Sequence, residues 1–206
     1  MESHHHPEVR LAERLMHGDL TAFDEFVDLF RGKLFQYSYL NCGQREDAEE
    51  VAQETLLKAF QSFRQLQDPA HVKAWIFRIA RNFCFMKRRK SRFAPAQELS
   101  LDEFKPSFKH EGEDRRLEIA DWQALPDEAA HSTEMRGLLE RAIASLPDLY
   151  KNVLLLRDME ELSVKETAAI LEVSQEVVKT RLHRARLAVR KQIDDYLREG
   201  QTEAAV

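Results

Sequence analysis

Apolar side chains recur along this chain at three- and four-residue spacing, the period that lines one face of a helix, in two blocks separated by a stretch without any period. In the first block Phe23, Phe26, Val27, Phe30, Leu34 and Tyr37 predict one helix, closed by a turn at Asn41, Cys42 and Gly43. The next helix is predicted over about 45–63, with Ala48, Ala52, Leu56, Ala59, Phe60 and Phe63 on its core face. Asp68 then supplies an N-cap, and Pro69 a first helical residue whose missing N–H is no loss there. The helix they start carries Val72, Trp75, Ile76, Ile79, Ala80 and Phe83 inward. In the second block Met135, Leu138, Leu139, Ala142, Ile143 and Leu146 predict a helix stopped by Pro147, and Val153 and Leu154 mark another over about 149–159. Ser163 and Glu166 have the spacing of a capping box, opening a helix that ends near Leu171. A short turn, Glu172 to Ser174, leads into a last helix with Val178, Leu182, Ala185, Val189 and Ile193 inward.

Between the blocks, residues 91–133 carry prolines at 95, 106 and 126 and ten acidic against five basic residues, with no sustained period. So long a structureless stretch is improbable inside one compact domain, which predicts a flexible acidic linker. The expected organisation is all-α: a helical domain over 8–90, the linker over 91–133, and a second helical domain over 134–197 that contains a helix-turn-helix. Only six Gly and six Pro in 206 residues leave too few turns for an all-β chain. No apolar run approaches the roughly 18 residues of a membrane span, and Met1 to Arg10 lack the apolar core of a signal peptide. A cytoplasmic protein without membrane insertion is expected. Cys42 and Cys84 are too far apart in sequence to suggest a zinc knuckle and read as reduced packing thiols. The tract His4, His5, His6 reads as a loose terminus in preference to a metal site.

The net charge of −5 argues against nucleic-acid binding only as an average. Seven basic residues and no acid lie between Arg78 and Arg92, and a second acid-free run spans Lys179 to Lys191. Two short helices joined by a tight turn, the second strongly basic, match a helix-turn-helix whose second helix enters the major groove. With Leu182 at the centre of the buried face, Glu176, Thr180, His183 and Arg184 fall opposite, within reach of base edges. Lys179, Arg181 and Arg186 lie towards the flanks, where phosphates would be. The competing reading is a solvated amphipathic helix. On the helix beginning near Trp75, placing Ile79 inward puts Phe77, Arg81, Phe85 and Arg88 outward. Rings interleaved with arginines suit an unstacked strand, although each ring could equally contact another helix of its own domain. Asp47, Glu50 and Glu54 share a face flanked by Gln53 and Leu57, fit to dock a basic partner protein or simply to be solvated.

Here a specific resemblance enters. Arg45 to Phe60, REDAEEVAQETLLKAF, resembles the core-polymerase-binding segment of RNA polymerase sigma factors, and Ala74 to Asn82, AWIFRIARN, resembles their promoter-melting helix. Leu146 to Arg157, Leu162 to Leu171 and Val177 to Arg186 are similar to the family's C-terminal domain. Both in order, with no third domain between, resemble the small extracytoplasmic-function (ECF, group IV) sigma factors. The resemblance implies that Asp47, Glu50, Gln53, Glu54 and Leu57 meet the clamp helices of the polymerase's largest subunit. It implies that the loop from Arg64 to Lys73 holds a base flipped from the −10 element with Asn82 beside it, and that Trp75, Phe77, Arg78, Arg81, Phe85 and Arg88 complete that surface. The C-terminal set, Glu176, Lys179, Thr180, Arg181, His183, Arg184 and Arg186, would read the −35 element, with the flap of the second-largest subunit as a further polymerase contact. The linker would run through the active-site cleft. Members of the family are commonly sequestered by an anti-sigma protein, often membrane-bound. Glu172 and Val173 depart from the small residue usual in the turn.

The rival class is an autonomous helix-turn-helix regulator, which binds its operator without polymerase. An enzyme is not expected: there is no Gly-rich phosphate loop, no clustered metal-ligand spacing outside the His tract and no nucleophile motif, so no catalytic residue, metal or cofactor is assigned.

Overall fold

The structure is a computed structural model that describes residues 6–90 and 129–203. Most of the expected linker, 91–128, lies outside the described residues, as do His4 and His5. Every regular element described is helical, in agreement with the all-α expectation.

The first block comprises α1 (Pro7–Met16), α2 (Ala22–Cys42), α3 (Arg45–Ser62) and α4 (Val72–Lys90). Gly43 ends α2 at φ +78°, a left-handed conformation that costs a residue without Cβ nothing, and its N–H bonds the Tyr39 carbonyl. The chain then reverses into α3. Phe26, Phe30, Leu34 and Tyr37 of α2 are buried with Val51, Ala52, Leu56 and Ala59 of α3. A ring ladder continues the core: Phe63 meets Phe26 edge-on at 5.5 Å and Trp75 at 5.4 Å. Each such side chain contributes roughly 1.5–3 kcal/mol by leaving water. Asp68 caps the next turn as expected, its carboxylate accepting from the Ala70 N–H at 2.9 Å, and Pro69 opens a single 3₁₀ turn that runs into α4.

Two placements differ from the periodicity. Phe60 is 46% exposed and leans on Phe23 at 4.7 Å. Phe77, expected outward, is fully buried edge-on against Tyr37 at 5.3 Å, whereas Ile79 and Trp75 are half-buried. The reason is tertiary: α4 packs on α2 and α3 and also on the second block, so its apolar sector is wider than one stripe.

The second block comprises α5 (Ala129–Ala144), α6 (Asp148–Leu154), α7 (Val164–Leu171) and α8 (Gln175–Glu203); α6 is prolonged by a π-type turn over Leu155–Met159. The capping box forms in full, with the Ser163 hydroxyl accepting from the Glu166 N–H at 3.1 Å and the Glu166 carboxylate accepting from the Ser163 N–H at 2.8 Å.

The two blocks share one buried apolar cluster, and polar groups stitch the seam. The Tyr37 hydroxyl donates to Asn152 Oδ1 at 2.9 Å, Arg88 pairs with Asp148, and Lys73 Nζ lies 3.9 Å from Glu160. Glu160 is 5% exposed, and burial raises its carboxyl to about 7 despite the pull of Lys73 and Lys33. A 3.9 Å separation is too long for a strong charge-assisted hydrogen bond, so the attraction does not offset lost hydration. Between pH 4.5 and about 7 the folded chain therefore holds a proton that the unfolded chain has released. Stability falls as pH rises through that window, by up to roughly 3 kcal/mol in total. Glu160→Gln removes this term. Thermal unfolding should show its melting temperature, relative to the parent, higher at pH 8 than at pH 5; a pH-independent difference would refute the assignment.

Candidate nucleic-acid and protein interfaces

The helix-turn-helix consists of α7, the turn Glu172–Ser174 and the start of α8. Glu172 sits at φ +58° and ψ +42°, so the turn takes a left-handed residue without glycine. The backbone closes it, with the Val173 N–H on the Ala168 carbonyl at 3.1 Å, and the Ser174 hydroxyl accepts from the Val177 N–H at 3.3 Å to open α8. Val178, Leu182, Ala185 and Val189 are buried. Their burial leaves Glu176, Lys179, Thr180 and His183 exposed on one face, with Arg181 and Arg184 half-buried beside them. Glu176 holds Lys179 at 2.8 Å.

Arg186 is placed differently from its flanking expectation. Both of its forks engage Asp158, Nε at 2.9 Å and Nη2 at 2.6 Å, and Asp158 is only 11% exposed. A bidentate pair of this kind orients α8 on the turn after α6, so Arg186 serves the fold before any phosphate. Sequence reading missed Asp158, 28 positions away, because nothing local marks it as a partner.

On α4, Phe85 is 63% exposed as expected, and Asn82 is exposed with Arg81 half-buried. Arg64 projects from the turn after α3. Phe77 is removed from this surface, since its burial against Tyr37 leaves no ring face for a base. Trp75 is half-buried on Phe63. Three further members, Lys73, Arg78 and Arg88, point into the seam and meet oxygen acceptors of the second block: Glu160, the Ala169 carbonyl at 3.4 Å, and Asp148. In this arrangement the three cations face acceptors of the second block.

The acidic face of α3 is present: Glu50 and Gln53 are exposed, Asp47 and Glu54 half-buried, and Leu57 is 57% exposed. Lys87 of α4 pairs with Glu50 and lies 3.5 Å from Asp47, a neighbour the pattern of α3 alone does not reveal. Its ammonium is held above its ordinary range first by the bond to Glu50. Among the described residues no group of three or more His, Cys, Asp or Glu is arranged to hold a metal ion.

Known proteins carry the same two blocks. Residues 22–93 match Sigma-70 region 2 and residues 136–189 match Sigma-70, region 4. The ECF RNA polymerase sigma factor SigW of Bacillus subtilis (strain 168) is 33% identical over 178 residues, covering 86% of this chain and 92% of that protein. The ECF RNA polymerase sigma-E factor of Escherichia coli (strain K12) is 26% identical over 194 residues, covering 91% and 95%. The fold is similar to that of CnrH in complex with the cytosolic domain of CnrY, with a TM-score of 0.61 at 21% identity over 91% of this chain and 97% of that one. It is also similar to that of RpoE in complex with the anti-sigma factor NepR from Bartonella quintana, with a TM-score of 0.60 at 20% identity over 85% and 98%.

Loosening the seam should be measurable. An Asp148→Ala/Asn152→Ala pair removes the acceptors of Arg88 and Tyr37, worth together roughly 1–2 kcal/mol. Amide exchange in α6 should accelerate about tenfold while the core of α2 and α3 stays protected. Unchanged exchange in α6 would mean these bonds do not hold the halves together.

Proposed function

The chain belongs to the ECF RNA polymerase sigma factors, and from that membership we propose how its surfaces divide the family's task. It binds core RNA polymerase and directs promoter-specific initiation through −10 and −35 recognition; it is not itself an enzyme. Within that function, α3 is the polymerase-docking element through Asp47, Glu50, Gln53, Glu54 and Leu57. Residues 8–90 form the domain that docks and opens the −10 region, with Arg64, Lys73, Trp75, Arg78, Arg81, Asn82, Phe85 and Arg88 on its DNA side. Residues 134–197 form the −35-reading domain through Glu176, Lys179, Thr180, Arg181, His183 and Arg184. The observation that carries this reading is the open face of α8, where Thr180 and His183 stand exposed between basic neighbours directly after a helix-turn-helix corner. Exposed polar groups at that position meet base edges, and the flanking cations meet phosphates, which set register without reading sequence.

The expectation of a cytoplasmic protein is corrected to a coarser statement. ECF sigma factors work in a context of membrane-associated anti-sigma regulation, and CnrH is seen with the cytosolic domain of its partner. What holds here is narrower: no helix among the described residues is long and apolar enough to cross a membrane. An anti-sigma factor is a partner of this chain, as NepR is of RpoE. The acidic face of α3 and the basic face of α8 are the surfaces it would cover.

Two experiments test the division. A Glu50→Lys/Glu54→Lys variant should keep its helicity, since surface charge changes stay within about 0.5 kcal/mol, but lose at least about tenfold in core-polymerase affinity. Undiminished binding by the folded variant would remove α3 from the docking surface. In a promoter-variant binding panel, His183→Ala should change which −35 bases are preferred, whereas Arg181→Ala should weaken all sequences alike and reduce the salt slope by about one. The reverse pattern would show that α8 is turned the other way in the groove.

A further inference from the structure

The chain's two cysteines are 42 positions apart, yet the fold brings their sulfurs within 3.7 Å of each other. Cys42 is the last residue of α2, half-buried, and the exposed turn of Gly43 and Gln44 follows it. Cys84 lies on α4, 3% exposed, behind it. The pair is therefore asymmetric, with one thiol partly exposed and the other buried. Their electrostatics are asymmetric in the same sense. The Cys42 thiol is lowered first by its hydrogen bond with Cys84 and further by Arg88 and Lys87, with burial and Asp47 opposing. The Cys84 thiol is raised, first by the same bond and then by burial. Packing thiols are inert because nothing stabilises their thiolate and no partner sulfur stands by; neither condition holds here.

We propose that Cys42 and Cys84 form an oxidation site that takes a hydroperoxide as substrate and closes to an intramolecular disulfide. The Cys42 thiolate attacks the distal peroxide oxygen, the O–O bond breaks, and the alkoxide leaves as alcohol, or as water when the oxidant is hydrogen peroxide. Cys42 is then a sulfenic acid. The Cys84 sulfur attacks the Cys42 sulfur, the S–O bond breaks, and hydroxide leaves with the Cys84 proton as water. Two thiols and one hydroperoxide give one disulfide, one alcohol and one water. The sulfurs need only close from 3.7 Å to about 2.05 Å. Cys42 stands at the very end of α2, followed by a glycine at φ +78°. The bond would tie α2 to the segment of α4 carrying Lys87 and Arg88, which hold the acidic face of α3 and Asp148. The chemistry itself does not depend on the function proposed above.

The 206-residue chain contains two cysteines, so thiol counting on it reports this pair alone. The folded protein is treated with hydrogen peroxide, quenched with catalase, denatured, alkylated with a maleimide and weighed intact. The expected product is a monomer that takes up no maleimide, is lighter by two hydrogens, and takes up two maleimides after reduction. Oxidation of the folded chain should run at least about tenfold faster than that of the chain unfolded in urea, because the fold supplies the proximity. Cys84→Ser should instead stop at a Cys42 sulfenic acid trapped by dimedone, and Cys42→Ser should retain one alkylatable thiol. Two maleimides on the peroxide-treated parent, thiol loss only as covalent dimers, or equal rates in folded and unfolded chains would each overturn the proposal.

Discussion

Tyr37 of α2 is 1% exposed, its ring lies edge-on against Phe77 of α4, and its hydroxyl donates to Asn152 of α6. Burial pushes the phenol well above its ordinary range, so it remains a donor. A buried hydroxyl left unpaired costs about 1–3 kcal/mol, and Asn152 is oriented to prevent this by its own bond to the Asp148 carbonyl at 3.0 Å. Three helices from two blocks are thus held by one ring and one proton. Separating α2 from α6 exposes the ring, strands the hydroxyl until water replaces Asn152, and breaks the Arg88 pair next to it.

The same seam bears on what the protein can do in this conformation. The acceptors facing Lys73, Arg78 and Arg88 are two carboxylates and a peptide carbonyl, oxygen acceptors as phosphates are. In the proposed engagement of this part of α4 with a −10 strand, phosphates would compete with these acceptors for the same cations. The individual polar bonds are weak, and Glu160 is strained by burial, so the seam combines a firm apolar centre with a rim that yields readily.

The face of α8 is not subject to this competition. Thr180 and His183 remain open, and the helix is aimed from behind by the Arg186 fork on Asp158. The left-handed Glu172 sets the corner that α7 and α8 turn. Support is therefore assigned to Arg186, and only the geometry separates it from the other arginines of the helix.

Apart from α1 (Pro7–Met16), which the apolar period read from Phe23 onward did not include, the helices, their caps and the two-block order were determined by the sequence itself, because helical period, the Asp68 and Ser163 caps and the Gly43 stop are local signals. The acid-free runs likewise marked α4 and α8 without reference to any neighbour, and the exposed faces of α3 and α8 follow from burial of the opposite side. What the tertiary structure decided is which residues meet across long separations. Phe77 turned inward because α4 has neighbours on two sides, which no single-helix wheel contains. Lys73, Arg78 and Arg88 found acceptors 60 to 91 positions away, Arg186 found Asp158, and Cys42 found Cys84. Periodicity specifies the direction of a side chain relative to its own helix axis; the partner it meets depends on how that axis packs against the others.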